Sequence, residues 1–232
     1  MTQTNKSVSF SQYGEDHLVW QFFGQSETGF FVDVGAHDGE TFSQSLFLER
    51  HGWRGILIEP QSACCAMMRI KRPAAQVFQV ACGAPEQRGS ATLQLDHQGS
   101  KLVSESNPAQ SGYEETQVMT LDDILGQVSH PPIDFLSIDV EGFELQVLRG
   151  FNIQKYHPRL LIVEDNLPNR LKVHWHLKGH GYRLVKRTGC NNWYVPRGQS
   201  FPFSTSWEHA RLYRKMYLGT VFRRFRSWIV GH

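Results

Sequence analysis

Three carboxylates fall within six positions of the stretch SIDVEGFE, at Asp139, Glu141 and Glu144, directly after the strand-like run 133–138. A second polar group, Glu164-Asp165-Asn166, follows the apolar run LLIV. Acids are poor strand formers, and unpaired carboxylates are costly at a protected site. If the two runs are neighbouring strands, their tips bring four carboxylates, Asp139, Glu141, Glu164 and Asp165, and the Asn166 amide together. Such a group repels itself unless protons or a cation intervene. Two chemistries suit it. Asp139 or Glu141 acts as a general base on an acceptor hydroxyl, or oxygen ligands hold Mg²⁺, which lowers a hydroxyl's pKa and aligns its oxygen. Glu141 is expected to open the next helix, where the dipole favours its charge. Glu144, one turn on, is expected solvated or paired at the helix surface.

A second constellation lies upstream in VDVGAHDGETF. Gly35 and Gly39 would let the backbone approach a ligand closely, and a helix from about Thr41 would offer free N–H groups to an anion. The three-glycine dinucleotide fingerprint is absent, so a pyrophosphate is not the obvious ligand. Asp33 could accept from an ammonium group. His37 reads as a packed or capping histidine, or as a ligand contact or base. Glu59 ends the next apolar run, roughly 20 residues beyond the glycine turn, where an acid takes two ribose hydroxyls. Together these residues describe an adenosine site with no phosphate requirement.

The elements that must position these groups alternate between apolar runs and helical stretches. Residues 29–35, 54–60, 75–83, 133–140 and 159–166 read as strands, with helices over 41–51, 61–72, 141–149 and 169–178. GSATLQLD alternates like an antiparallel or edge strand, and the polar stretch 97–117 reads as a loop bordering the site. TLDDILGQV reads as a short helix, and YRLVKRTG and NNWYVPRG as a terminal strand pair joined through Gly189. Continuous apolar strands alternating with helices predict one doubly wound, mostly parallel α/β domain that binds ligands along its strand C-termini.

With 40% hydrophobic and 20% charged residues, the 232-residue chain has ordinary globular usage, which excludes a disordered or fibrous class. Cys64, Cys65, Cys82 and Cys190 form neither a metal pattern nor a disulfide framework, and they predict free thiols in a reducing compartment. The polar N-terminus and the lack of a long apolar run predict a cytoplasmic protein. The net charge of +2 hides an asymmetry, because residues 207–232 hold six Arg/Lys against Glu208 alone. There Leu218, Val221, Phe222, Phe225 and Ile229 form a helical stripe between arginines. This basic amphipathic segment is expected to dock on its own domain or a dimer mate, or to make peripheral membrane contact. No motif points to nucleic acid. In HWH, 174–176, the spacing sends the two rings to different helix faces, so it reads as surface.

SQYGED, VDVGAHDG, LIEP, TLDDIL, IDFLSIDVEGFELQVLRG and LLIVE, in this order, resemble the FkbM family of S-adenosylmethionine-dependent methyltransferases. The likeness runs from residue 9 to about 195 and leaves the tail outside it. It implies a class I methyltransferase (Rossmann-like) fold with a terminal antiparallel strand pair, forming one domain over 1–206. It also implies a cofactor site built from Asp33, Gly35, Gly39 and Thr41 on the methionine side and Glu59 at the ribose. Ala81 and Cys82 would lie near the adenine, with Gln12, Tyr13 and Glu15 folded over the cofactor and Asp139 beside the methyl donor. The Asp139 and Asp165-Asn166 arrangement is similar to the metal ligands of catechol-type O-methyltransferases, which implies Mg²⁺ on Asp139, Asp165 and Asn166. The expected activity is O-methylation of a sugar, glycolipid or secondary metabolite. The rivals are an N-methyltransferase, a nicotinamide oxidoreductase, and a cofactor-binding module without turnover recruited by its basic tail.

Overall fold

The computed structural model describes residues 8–95, 101–103, 112–165, 170–214 and 216. In chain order the elements are α1 (Glu15–Phe22), β1 (Phe30–Val34), α2 (Leu46–Arg50), β2 (Arg54–Ile58), α3 (Ser62–Lys71), β3 (Ala75–Phe78), β4 (Ala81–Cys82) and β5 (Gly89–Gln94). There follow β6 (Lys101–Val103), β7 (Tyr113–Met119), α4 (Leu121–Leu125), β8 (Phe135–Ile138), α5 (Glu144–Arg149) and α6 (Ile153–Tyr156). The chain continues through β9 (Leu160–Glu164), α7 (Arg170–Gly179), β10 (Tyr182–Thr188), β11 (Asn191–Pro196) and α8 (Ser206–Tyr213).

Seven strands form the main sheet in the order β10-β11-β9-β8-β1-β2-β3. The five from β3 to β9 run parallel, while β11 pairs antiparallel with both β9 and β10. Strand side chains alternate between two apolar layers. Val32, Ile56, Leu136 and Leu161 pack beneath α4, α5 and α7 through Ile124, Val147 and Val173. Phe31, Leu57, Phe135 and Leu160 face the opposite way, towards Val19 of α1, Leu48 of α2 and Cys65 and Met68 of α3. The sheet is thus buried on both sides, which is why its parallel strands are continuously apolar. The strand order reverses between β1 and β8, and open α/β sheets bind ligands in the crevice at such a switch point.

Four expectations need correction. The strand expected over 75–83 breaks in two, and β4 leaves the main sheet for a second one of order β4-β7-β5-β6. The loop expected over 97–117 contains β6 and most of β7, because β5 needs antiparallel partners and takes them from both. Its residues 97–100 and 104–111 lie outside the described residues. The helix expected from Thr41 begins only at Leu46, since Asp38 accepts from the amides of Glu40 and Thr41 at 2.9 and 2.7 Å and holds a turn there. The helix expected to open at Glu141 starts at Glu144, because Glu141 sits at φ 53° and Gly142 at 102°.

The terminal pair is antiparallel through a turn at Gly189, as expected. At the C-terminal end, Leu212 and Met216 join the apolar layer under α7, so α8 docks on its own domain. The stripe from Leu218 to Ile229 lies outside the described residues. No helix among the described residues is long and apolar enough to cross a membrane.

Candidate active site

The switch-point crevice opens into a cavity of about 490 Å³. Gly35 starts its floor. With φ +85° it takes a conformation that suits glycine, and its amide donates to the Ile58 carbonyl at 2.9 Å. Asp33, two residues earlier on β1, is 6% exposed and accepts from the Ser45 hydroxyl at 2.6 Å. Burial pushes its carboxyl above the ordinary range, against hydrogen bonds from Ser45 and Ser137 and the charge of Arg72.

Glu59 stands at the tip of β2, lining the same cavity, and is 7% exposed. The His37 amide donates to its Oε2 and the Gln61 amide to its Oε1, both at 3.0 Å. Two backbone donors fix the carboxylate plane, and a carboxylate has further lone pairs with which to accept two hydroxyls. Burial raises the pKa of this group too. Ala81 and Cys82 of β4 and Leu93 of β5 supply an uncharged wall. The second sheet therefore builds the side of the crevice suited to an apolar ring.

Across the crevice, Asp139 follows β8, with Ser137 of that strand also on the wall. The Asp139 carboxyl is pushed well above its ordinary range, first by burial, then by the charge of Glu164 and a hydrogen bond with it, then by Glu141 and Glu144. Asp139 is therefore the group on this wall that binds a proton more readily than an ordinary carboxylate, with Glu164 beside it. Glu141 also lines the cavity. Among the described residues, three of the five non-glycine residues with positive φ, namely His37, Phe42 and Glu141, belong to this wall, and backbone strain of this kind gathers at functional sites. Among the described residues no Lys or Arg lines the cavity.

Gln12, Asp33, Gly35, Thr41, Glu59, Ala81, Cys82, Asp139 and Glu141 thus all face one space. Three other residues expected at the cofactor stand behind its wall. Gly39 turns its carbonyl to Arg72 at 2.6 Å. Tyr13 packs its ring on Gly189, next to Cys190. Glu15, fully buried, accepts from the Tyr13 amide, the Thr188 hydroxyl and the Asn191 side-chain amide at 3.0, 2.8 and 2.9 Å. It latches the strap 8–14 to the terminal hairpin rather than reaching the cavity. On the other flank, Ser11 bridges to Phe42, so the strap spans the mouth.

The metal reading does not fit. Asp165 is buried between Arg170, at 2.5 Å, and Arg187, which already balance its charge. No group of three His, Cys, Asp or Glu among the described residues is arranged to hold a metal, and Asn166 lies outside them. Glu144 corrects another expectation. It is 1% exposed rather than solvated, and its Oε1 accepts from the Gly142 amide at 2.8 Å. The surface placement expected of 174–176 holds only for Trp175: His174 is 3% exposed and packs inward beside Val173 and Leu177, and His176 is half-buried, with both away from the cavity. Gln44, Leu93, Phe143, Glu164 and Cys190 line the cavity but were not expected as site residues. Only Glu164 carried a signal, its place in the second acidic group.

Residues 33–184 match the family profile described as the methyltransferase FkbM domain. Among curated proteins no sequence matches the chain. Solved structures similar to it include the methyltransferase FkbM from Methylobacillus flagellatus KT, with TM-score 0.49 and 18% identity over 73% of this chain and 44% of that one. The chain therefore spans less than half the length of that relative. The precorrin-6y C5,15-methyltransferase from Geobacter metallireducens GS-15 has TM-score 0.46 and 13% identity over 84% of this chain and 92% of that one. M. capricolum TrmK in complex with S-adenosyl-homocysteine has TM-score 0.40 and 10% identity over 82% of this chain and 72% of that one.

Proposed function

The chain belongs to the FkbM methyltransferase family, and from that premise we propose that it methylates a hydroxyl oxygen of a sugar, glycolipid or secondary metabolite, with the Asp139–Glu164 pair as proton acceptor. S-adenosylmethionine, when bound, supplies an electrophilic methyl group. The residues present fit it: Glu59 offers a preset carboxylate to the ribose hydroxyls, Asp33 an anion to the ammonium group, and Ala81, Cys82 and Leu93 a neutral wall to the adenine. No step is assigned to magnesium, because Asp165 is engaged by arginines.

The observation that supports this reading is the convergence of Asp139, Glu141 and Glu164 on one wall of the cavity, with Asp139 buried and raised by its neighbours. A carboxyl held above its ordinary range becomes a base when its proton is lost, and it can then take the acceptor's proton as the oxygen attacks. Glu141 adds negative charge on the same wall, which strengthens the hold of Asp139 on a captured proton.

Calorimetric titration with S-adenosylhomocysteine tests the first half, with wild type and Glu59→Ala compared. Binding in the wild type that falls at least about 100-fold in the variant is expected from two lost charge-assisted bonds. No binding by the wild type would sink the methyltransferase reading. Label transfer to a panel of hydroxylated and aminated acceptors, followed by mass spectrometry of the product, tests the second half. Methyl on nitrogen rather than oxygen would replace this reading with its closest rival.

A further inference from the structure

We infer that Ser45, driven by the buried Arg72, is a positioning residue that presets Asp33 for the amino-acid end of the cofactor. This rests on the reading of Asp33 as partner of the ammonium group. Arg72 caps the C-terminal end of α3 and is fully buried. Its Nε donates to Glu49 at 2.6 Å, its Nη1 to the Gly39 carbonyl at 2.6 Å, and its Nη2 to the Ser45 hydroxyl oxygen at 3.1 Å. A guanidinium can only donate, so Ser45 Oγ is the acceptor in that contact and its one hydrogen must go elsewhere. It goes to Asp33 Oδ2 at 2.6 Å.

The direction of the chain Arg72 to Ser45 to Asp33 is therefore fixed by donor chemistry. Glu49 shares the charge of Arg72, and what reaches Asp33 is orientation through Ser45 together with part of that charge. The same guanidinium holds the end of the glycine loop through the Gly39 carbonyl. One buried side chain thus sets two sides of the methionine subsite, and neither Arg72 nor Ser45 lines the cavity itself.

The test compares two ligands that share the adenosine and differ in the amino-acid moiety, S-adenosylhomocysteine and 5′-methylthioadenosine, by calorimetry. Ser45→Ala is expected to weaken S-adenosylhomocysteine by about tenfold, the worth of one hydrogen bond to a charged group, and to leave methylthioadenosine unchanged. Equal losses for both ligands would show a serine that merely supports the fold, and no loss for either would show no positioning; both outcomes overturn the inference. Asp33→Asn separates the two layers. If it leaves the ratio of the two affinities at the wild-type value, the ammonium reading falls and the inference with it. If it shifts the ratio while Ser45→Ala does not, the inference alone falls. Should Ser45→Ala not fold, Ser45→Cys, a weaker donor of similar size, is scored by the same ratio.

Discussion

A methyl group on Gly35 would lie 1.7 Å from the carbonyl oxygen of Asp139. The glycine turn after β1 and the acidic tip of β8 are in backbone contact, so the cofactor loop and the candidate base share one wall. Gly35→Ala therefore pushes Asp139 out of place and also forces alanine into a left-handed conformation. We expect a loss of about 3 kcal/mol or more in stability together with loss of S-adenosylhomocysteine binding. Thermal melting and calorimetry check this; a stable variant that binds normally would contradict the contact.

Much of this was legible in the sequence, for reasons visible in particular residues. Strand runs such as FFVDV and LLIVE are buried on both faces and carry their identity in composition, and Gly35, Glu59 and Asp139 sit at their ends. What escaped depends on pairing between distant segments. No local pattern in 113–117 announces that Gly89–Gln94 will pair with it. Nor does Asp165 show by itself that Arg187, 22 residues on, will neutralise it. The left-handed turn at Glu141 is set by Gly142 and by the buried Glu144 that binds the Gly142 amide. Helical periodicity in that stretch pointed the other way.

Glu141→Gly tests whether that strained turn serves the site. A non-glycine residue at φ 53° carries a cost of about 1 kcal/mol or more, which glycine removes. The variant is expected to melt at the wild-type temperature or higher while turnover falls. A drop in melting temperature with unaltered turnover would make the turn structural only.

Asp165→Asn is expected to destabilise the fold by about 3–5 kcal/mol, because removing one member of a buried ion group strands the others. Arg170 and Arg187 would be left facing an amide. Magnesium and chelator are both expected to leave S-adenosylhomocysteine binding and turnover unaltered. A stable Asp165→Asn protein that loses a magnesium-dependent rate would restore the metal reading.

The Asp139–Glu164 pair makes the pH dependence specific in sign. Burial comes first and the Glu164 charge next among the causes that raise Asp139. Asp139 therefore holds its proton more tightly folded than unfolded. The stability this contributes is present at low pH and is lost as pH climbs through the raised folded value. Activity runs the other way, since the pair is a base only after that proton has gone, so turnover should rise with pH along an acid limb above the ordinary carboxylate range. Glu164→Gln removes the neighbouring charge and places an amide donor beside Asp139. The acid limb should then move to lower pH, and the loss of stability on raising pH should begin at the same pH but end earlier and be smaller. Maximal turnover should also fall, because one carboxylate has replaced a pair that can spread the captured proton. A pH–rate profile and melting curves across the same range measure both. An acid limb that stays in place in Glu164→Gln would assign it to another group and remove the pair from the chemistry.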